Sequence, residues 1–353
     1  MAFDIIGDIV ILKPPLKYEP EEYVKLILEK HKFVKTILLQ ETDVQPPYRI
    51  ANYKILWGEN KTETIHKEFG LKFKVDVTKA YFSQRLSNER YRIAKQVKEN
   101  EEVLVMFSGI NPYPIYIEKF SNPKIIYSIE LNPFAIKYGL ENVKINKCKK
   151  IITILGDVRD VCPLINLFQN NYGFLKTEEN YLLDLIESGI ELDKIYFRYP
   201  EDKNLLELIN KIKSKKKGII IEGSLRELGQ RIYQYDEVIL RKNNKIFRVI
   251  LKDNLAEELE IFSKKFDRII MPLPKEADTF LDVAIPCIKE GGIIHLYQFM
   301  KEEEIPNAAY KILDKYSKEL GFEYEILEVR KIGDIAPKQY RVCIDFRVIK
   351  RNI

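Results

Sequence analysis

Residues that build metal centres and disulfides are scarce in this sequence. The four cysteines lie far apart and form no CxxC pair, which argues against a disulfide framework and against a cysteine-rich zinc site. The three histidines are not paired at ligand spacing, so a zinc hydrolase is not expected either. We therefore expect no metal ion, and a reducing cytoplasm is the simplest compartment for such a chain.

Long apolar runs and secretion signals are also missing. The sequence has no run of about 18 apolar residues, so a transmembrane helix is excluded and no membrane partner is expected. Asp4 and Asp8 interrupt the apolar stretch at the N-terminus, which argues against a secretory signal. The net charge of +5 is mildly basic and allows an acidic partner such as RNA without requiring one.

The length of 353 residues predicts two or three domains. Residues 1–97 are expected to form a small α+β module, because helical and alternating patterns follow each other without a long apolar run. Its predicted elements are a strand at Phe3–Lys13, a helix at Pro20–Lys32, two strands within Thr64–Thr78 around Gly70, and a helix at Ser87–Glu99.

Residues 98–353 have the pattern of a Rossmann-like α/β domain. Near-continuous apolar runs alternate with amphipathic stretches, as expected of buried parallel strands joined by helices. The predicted strands are Glu102–Phe107, Lys124–Glu130, Lys150–Leu155, Phe266–Met271 and Gly292–Gln298. The predicted helices are Pro133–Asn146, Ala277–Lys289 and Asn307–Leu320, followed by a closing hairpin of Glu323–Lys331 and Gln339–Ile349. This order predicts a doubly wound sheet with ligands at the carboxyl ends of its strands.

Residues 163–256 interrupt that pattern and are predicted to form an inserted small α/β domain. Its first part, Leu164–Ile186, is predicted to be helical. The rest predicts strands at Lys194–Tyr199, Gly218–Glu222, Glu237–Arg241 and Lys245–Leu251, helices at Lys203–Lys213 and Leu225–Gln234, and a tight turn at Asn243-Asn244.

Acidic residues follow two successive strands of the predicted sheet. Glu130 ends the second strand, about twenty residues after the turn FSGINP, and a carboxylate there can accept hydrogen bonds from ribose hydroxyls. Asp157 follows the third strand, where it can accept from an adenine amino group. This pattern favours S-adenosyl-L-methionine over NAD, because the GxGxxG spacing and the Walker A lysine motif are both absent. The alternative is that both acids only cap helices.

Several motifs resemble those of known methyltransferases. FSGINPYPI, YSIELNPFAI, GDVRD and the strand end MPLP are similar to class I S-adenosylmethionine methyltransferases. The longer stretch WGENKTETIHKEFGLKFKVDVTKAYFSQRLSNER resembles the tRNA (guanine37-N1)-methyltransferase family of archaea and eukaryotes, and the resemblance covers about 1–161 and 257–353. It implies S-adenosylmethionine as cofactor, tRNA as partner and the base at position 37 of the anticodon loop as target.

The resemblance also implies two catalytic residues. Arg49 in PPYRI matches an arginine that steadies guanine O6, and Glu89 in RLSNER matches the proposed general base. Guanine N1 carries a proton and is a poor nucleophile, so a carboxylate can remove that proton while a guanidinium stabilises the charge on O6. Without the motif, the simpler alternative is that the two residues form a surface ion pair.

Further contacts follow from the same match. The residues expected to contact the cofactor are Tyr81, Phe82, Arg85, Phe107, Ser108, Gly109, Asn111, Glu130, Leu131, Asn132, Asp157, Val158, Arg159 and Pro272. The residues expected to contact RNA are Arg49, Tyr81, Arg85, Pro272, Lys211, Lys213, Lys215, Lys216 and Lys217. An aromatic ring in this set can stack on a flipped base.

Two positions depart from the family pattern. Asn111 replaces the second glycine of the usual GxGP turn, and Pro272 lacks the backbone N–H that would orient the target base. One archaeal branch is similar in having this proline, and some of its members methylate both N1 of guanine37 and C7 of the wyosine intermediate 4-demethylwyosine. The alternatives are transfer of an aminocarboxypropyl group from the same cofactor, and a tRNA-binding protein that has lost its activity.

The inserted segment suggests a further hypothesis. The small N-terminal domain of the family is not found before residue 1, and 190–256 is a candidate for its relocated equivalent in tRNA recognition. Its lysine run at 211–217 would then contact phosphates, although a solvated helix end explains the run equally. His66 and His295 are predicted to be hydrogen-bonded structural residues, and the chain is expected to be a monomer.

Overall fold

The computed structural model describes residues 3–167, 171–223, 228–242, 245–252, 255–261, 264–273 and 275–352. The chain begins with a four-stranded sheet in the spatial order β1-β2-β3-β4. These strands are β1 (Phe3–Ile6), β2 (Ile9–Leu12), β3 (Thr36–Gln40) and β4 (Tyr53–Gly58). Helix α1 (Pro20–Lys30) covers one face and buries Tyr23 and Ile27 against Val10 and Leu12.

The single strand predicted at Phe3–Lys13 is wrong, because the chain folds into the hairpin β1-β2 there. Gly7 adopts a positive φ of 57°, and a Cβ at this position would lie 2.1 Å from Thr64 Oγ1. Asp8 then accepts a hydrogen bond from Thr64 Oγ1 at 2.6 Å. The turn therefore depends on a contact made 56 residues later, which a local alternation of apolar residues does not reveal.

The second hairpin, predicted around Gly70, is confirmed. It consists of β5 (Glu63–Glu68) and β6 (Leu71–Asp76), and the helix α2 (Ser87–Gln96) follows. Phe73, Val75 and Ile93 share one hydrophobic core with Val103 and Ile115. The same core includes Ile9 and Leu38 of the first sheet, so residues 63–97 pack against both the first module and the main body.

The main sheet has thirteen strands. In chain order they are β7 (Glu102–Val105), β8 (Ile125–Glu130), β9 (Ile151–Leu155), β10 (Tyr172–Leu175), β11 (Leu192–Phe197), β12 (Ser214–Glu222), β13 (Glu237–Lys242), β14 (Lys245–Lys252), β15 (Leu255–Ile261), β16 (Phe266–Met271), β17 (Ile288–Lys301), β18 (Phe322–Ala336) and β19 (Gln339–Arg351). Its central part has the order β9-β8-β7-β16-β17-β19-β18, with β19 antiparallel to both of its neighbours. The expected α/β, Rossmann-like architecture is confirmed.

Helices connect and cover these strands. They are α3 (Pro112–Phe120), α4 (Pro133–Ile145), α5 (Val158–Val161), α6 (Glu179–Ser188), α7 (Lys203–Lys211), α8 (Leu281–Cys287) and α9 (Asn307–Leu320). The helix expected at Ala277–Lys289 consists of a 3-10 turn, Ala277–Phe280, followed by α8. No helix among the described residues is long and apolar enough to cross a membrane.

The segment 163–256 extends the main sheet instead of forming a sheet of its own. Strand β10 pairs in parallel with β9, and β11 to β15 continue outward from it. The helix expected over Leu164–Ile186 is wrong in its middle, where Tyr172–Leu175 is a fully buried strand. A short apolar run buried on both faces looks the same in a strand and in a helix. The predicted turn Asn243-Asn244 and the start of the helix at Leu225 lie outside the described residues.

Candidate functional site

Two adjoining cavities open at the carboxyl ends of the central strands. The inner pocket, of about 200 Å³, is lined by Pro47, Tyr48, Arg49, Tyr81, Phe107, Gly109, Ile129, Glu130, Leu131, Asn132, Ala135, Gly156, Asp157, Val158, Pro272, Leu273 and Phe280. The outer groove, of about 630 Å³, runs between the first module and the main sheet. Five residues line both cavities: Pro47, Arg49, Tyr81, Leu273 and Phe280. A ligand bound in the inner pocket and a second ligand bound in the groove would therefore be in contact at these residues.

The turn after β7 forms one wall of the inner pocket. Phe107, Gly109 and Asn111 all have positive φ values, of 54°, 57° and 66°. Asn111 is fully buried, and its side chain donates to Thr153 Oγ1 at 2.9 Å and accepts from Ser128 Oγ at 2.8 Å. Asn111 therefore holds the turn onto β8 and β9 and does not line the pocket, and its expected cofactor contact stays a prediction. Asparagine tolerates the left-handed conformation that the family glycine adopts with ease.

Glu130 lies at the centre of the inner pocket. Its Oε2 accepts the Gly109 N–H at 2.8 Å, and its Oε1 accepts the Asn132 N–H at 2.9 Å. Burial raises the pKa of this carboxyl group, while these backbone hydrogen bonds oppose the rise. Asn132 in turn accepts the Phe134 N–H and caps α4. The carboxylate is therefore held in one orientation, with lone pairs left for a ligand.

Asp157 caps a helix and also lines the inner pocket, so both alternatives that the sequence left open remain compatible with its position. Its Oδ1 accepts the Arg159 N–H at 3.0 Å and caps α5, and its Oδ2 pairs with Lys176 at 3.1 Å. It also lines the inner pocket beside Val158. Arg159 pairs with Asp282 at 2.5 Å, and its guanidinium carbon lies 4.5 Å from the centre of the Phe280 ring, which lines the pocket. Its expected cofactor contact stays a prediction.

Arg49 and Tyr81 meet where the two cavities join. The Arg49 guanidinium carbon lies 5.1 Å from the centre of the Tyr81 ring, and Arg49 adopts a positive φ of 56°. Burial lowers the pKa of Arg49, and the nearby charge of Arg341 lowers it further. Burial alone would raise the pKa of Tyr81, but the charges of Arg341 and Arg49 reverse this and lower it. The junction therefore has a positive potential.

Glu89 does not line either cavity. It is buried, and both of its oxygens accept hydrogen bonds from Arg92 at 2.8 Å. Its Oε1 also accepts the Tyr297 hydroxyl at 2.7 Å. Glu89 is buried and bound to Arg92, so the alternative of a surface pair between Glu89 and Arg49 is wrong, while its role as the base stays a prediction.

The remaining predicted residues fall into three groups. Those that line the inner pocket are Tyr81, Phe107, Gly109, Glu130, Leu131, Asn132, Asp157, Val158 and Pro272. Phe82 and Arg85 line only the outer groove, where Arg85 pairs with Asp4 at 2.7 Å. Ser108 is buried and lines neither cavity. The expected cofactor contacts of these three residues stay predictions.

Sequence reasoning missed several lining residues. Tyr48, Leu273 and Phe280 line the inner pocket, and Arg341 lines the outer groove. Tyr48 and Leu273 are sequence neighbours of predicted residues, so they could have been included. Phe280 and Arg341 carry no local signal, because only the folding of α8 and β19 brings them to this edge.

A buried charge network lies behind the groove. Arg268 Nη1 lies 2.7 Å from His295 Nε2, and His295 Nδ1 lies 2.7 Å from Asp345 Oδ1. Because the guanidinium can only donate, Nε2 accepts and His295 is neutral, which agrees with a pKa lowered by burial. The possible ligand atoms of His295, Cys343 and Asp345 lie within 4.8 Å of one another. Arg92 and Arg268 already occupy this cluster, so it is a structural hydrogen-bond network, as predicted for His295.

Some lysines of the run at 211–217 are already bound to other side chains of the protein. Lys215 pairs with Asp193 at 2.8 Å, Lys216 lies 3.7 Å from Asp236, and Lys217 donates to Asn210 at 2.8 Å. Lys211 and Lys213 are exposed and form no ion pair within the described parts of the chain. None of the five lysines lines either cavity.

Comparisons with known proteins agree with this geometry. The TRM5/TYW2 methyltransferase domain matches residues 64–217 and 230–327, and the TYW2 N-terminal domain matches 1–62. The two matched ranges meet between residues 62 and 64, and the predicted boundary at residue 97 stays a prediction.

Similar curated proteins include two archaeal enzymes. One is tRNA (guanine(37)-N(1))/4-demethylwyosine(37)-methyltransferase Taw22 of Nanoarchaeum equitans, 35% identical over 352 residues, which cover 99% of this chain and 100% of that one. The other is tRNA (guanine(37)-N(1))-methyltransferase Trm5b of Pyrococcus abyssi, 30% identical, covering 98% of this chain and 74% of that one. A solved complex of aTrm5 and tRNALeu matches with a TM-score of 0.63 at 27% identity, covering 99% of this chain and 72% of that one. The family resemblance seen in the sequence is confirmed: the chain belongs to the TRM5/TYW2 methyltransferase family.

Proposed function

We propose that the protein transfers a methyl group from S-adenosylmethionine to N1 of guanosine 37 in tRNA. The observation that carries this proposal is the junction of the two cavities. A small pocket with an oriented carboxylate opens through Arg49 and Tyr81 into a groove large enough for a nucleotide. Relatives named as tRNA guanine37 methyltransferases support it.

The inner pocket fits the proposed cofactor. Glu130 is held by two backbone N–H groups and keeps lone pairs that can accept ribose hydroxyls. Apolar side chains such as Ile129 and Val158 offer flat contact for an adenine ring, beside the Asp157 carboxylate. A related structure, TYW2 of Methanocaldococcus jannaschii in complex with AdoMet, matches at 26% identity with a TM-score of 0.56 over 99% of both chains. When bound, the cofactor supplies a methyl group on a positively charged sulfur.

The chain supplies groups for the target base at the cavity junction. Arg49 can stabilise negative charge on guanine O6 as the N1 proton leaves, since its guanidinium has no carboxylate partner within the described residues. Tyr81 lines both cavities and can stack on the base or orient it. Glu89 can serve as the base only if its carboxylate leaves Arg92 and turns towards the groove when tRNA binds.

Methylation of C7 of 4-demethylwyosine is the second candidate activity. Pro272 has no N–H, and the following N–H, of Leu273, is already donated to the Met271 carbonyl at 2.9 Å. The wall that faces the target base therefore has no free backbone donor at these two positions. Without such a donor, the wall does not require a hydrogen-bond acceptor at a fixed position on the edge of the base. This favours acceptance of the larger tricyclic base.

The test is methyl transfer from labelled cofactor to tRNA transcripts with G37 or A37, followed by nucleoside mass analysis. We expect 1-methylguanosine from the G37 transcript and no product from A37. A third arm uses tRNA with 4-demethylwyosine, for which a mass gain of one methyl group supports the second activity. A gain equal to an aminocarboxypropyl group on 4-demethylwyosine would contradict methylation of C7, and the absence of 1-methylguanosine from the G37 transcript would contradict methylation of N1. Cofactor binding without any transfer would indicate a lost activity.

A further inference from the structure

The start of β19 brings an arginine to the outer groove that the family resemblance did not assign. Arg341 pairs in register with Phe299 of β17, and both side chains line the groove. This part of β17 lies near its carboxyl end, on the edge of the sheet where ligands of doubly wound folds bind. Arg341 lines the groove but not the inner pocket, so it lies on the side of the RNA substrate.

The guanidinium of Arg341 is poorly satisfied by the protein. Its Nε is buried without a hydrogen-bond partner, and its Nη2 reaches the Tyr81 hydroxyl only at 3.5 Å. Among the described residues it forms no ion pair with a carboxylate. Arg347 on the same strand pairs with Glu325 at 2.6 Å, and Arg268 pairs with Glu101 at 2.7 Å. The Nε atoms of Arg90, Arg241 and Arg351 are also buried without a partner, so the lack of a carboxylate partner in the groove, together with the bare Nε, marks Arg341 as open to an anionic ligand.

A second guanidinium lies on the same phenol ring. Arg49 packs on Tyr81 at 5.1 Å, and the charges of Arg49 and Arg341 are close enough that each influences the Tyr81 hydroxyl. Asp4 is an acidic residue of the groove wall, but its carboxylate is already paired with Lys13 at 2.5 Å and with Arg85. The other groove acids, Asp43, Glu276 and Asp334, form no ion pair with Arg49 or Arg341 among the described residues, and neither does Glu130 of the inner pocket. The two positive charges therefore form a site for an oxyanion.

The aromatic neighbour of Arg341 indicates which kind of anionic ligand fits the site. The Phe299 ring is 39% exposed in the groove, with the Arg341 guanidinium carbon 5.8 Å from its centre. A basic group beside an exposed ring is the combination that binds single-stranded nucleic acid, since the base stacks while the phosphate is paired. An arginine is also well suited to a phosphate, which it can bind through two parallel hydrogen bonds.

We propose that Arg341 binds a backbone phosphate of the tRNA next to the flipped target nucleotide, at the hydroxyl of Tyr81, whose ring Arg49 contacts. This inference rests on the proposed function, because it takes the groove as the path of the anticodon loop. Arg341 acts as a positioning residue: by holding the phosphate it sets how far the base enters the junction of the two cavities.

The test compares R341Q, R341K and the control R347Q, which removes the same charge from the same strand at an exposed, ion-paired position. For R341Q we expect the Kd and KM for a G37 tRNA transcript to rise about tenfold, as for loss of a charged hydrogen bond. The KM for S-adenosylmethionine should not change. The slope of log affinity against log salt should become shallower by about 0.7, the value for one phosphate contact with a single strand. R341K should recover part of the loss, and R347Q should resemble the unsubstituted chain.

Each contrary result has its own meaning. If R341Q binds tRNA like R347Q, the assignment of Arg341 is wrong while the proposed function stands. If R341Q instead raises only the KM for the cofactor, Arg341 binds the cofactor carboxylate and the assignment is also wrong. If the unsubstituted chain neither binds nor methylates tRNA, the proposed function and this inference both fail. If R341Q and R347Q unfold at the same temperature, a folding defect is excluded as the cause of weaker tRNA binding by R341Q.

Discussion

Replacing Glu89 by glutamine separates two roles of this residue. The substitution keeps the shape of the side chain and removes its charge. Both Glu89 oxygens accept from Arg92 at 2.8 Å, and Arg92 keeps a second partner in Asp345 at 2.6 Å. Arg92 is therefore not left as an isolated buried charge, which would cost about 3–5 kcal/mol. We expect the loss of about one charge-assisted hydrogen bond, which lowers the free energy of unfolding by about 2 kcal/mol.

The catalytic consequence is measured separately. If Glu89 leaves Arg92 and accepts the N1 proton, E89Q should lower kcat about 100-fold or more with cofactor binding unchanged. The assay is single-turnover methyl transfer to a G37 transcript, with unfolding in urea followed in parallel. Tyr297→Phe is the matched control, because it removes a hydrogen bond to Glu89 at 2.7 Å and keeps the carboxylate.

Two results would refute this reasoning independently. An E89Q protein that unfolds at the same urea concentration as the unsubstituted chain would contradict the network around Arg92. An E89Q protein with full kcat would exclude Glu89 as the base, whatever its stability. Equal losses of kcat in E89Q and Tyr297→Phe would indicate that both act through the position of α2.

Three further predictions follow from the same contacts. Glu130→Gln should weaken binding of S-adenosylmethionine at least about tenfold by calorimetry, because charged hydrogen bonds to the ribose are lost, and unchanged affinity would contradict the assigned pocket. The chain should lose stability in acid: the pKa of His295 is lowered from 6.5 by burial, and that of Asp345 is lowered from 3.8 because its charged partners outweigh burial. The unfolded chain therefore binds more protons, so the free energy of unfolding in urea should fall as the pH drops below about 6.5 and fall further below about 4. Lys213→Gln should weaken tRNA binding a few-fold and the ion-paired Lys215→Gln should not, if the lysine run contacts RNA; equal effects would contradict that role.

The way in which residues 163–256 extend the main sheet limits how their role in tRNA binding can be tested. Leu155 of β9 and Ile136 of α4 share one hydrophobic core with Leu175, Leu182 and Leu192. Deleting the segment would therefore expose part of the central core, and a loss of tRNA binding could not be separated from a loss of folding. Exchanges of single exposed lysines avoid this problem, because they leave the core intact.

The sequence by itself determined the architecture of the central sheet and the side chain at the heart of the inner pocket. Strands buried on both faces require near-continuous apolar runs, so β7, β8 and β9 could be predicted from the local sequence alone. The position of Glu130 followed from the same fact, since a residue at the carboxyl end of such a strand lies where ligands bind. The long motif around 57–90 identified the family without any tertiary information.

Only the tertiary structure decided what faces the groove. Glu89 and Arg49 are both in family motifs, yet Glu89 is bound to Arg92 and Arg92 to Asp345, a residue 253 positions further along the chain. Arg341 lies in no motif, and its place beside Tyr81 depends on the pairing of β19 with β17. The extension of the sheet by β10 likewise depends on its pairing with β9. Local patterns report which residues are buried, but the partner that a buried charge finds, or lacks, is set by contacts between distant parts of the chain.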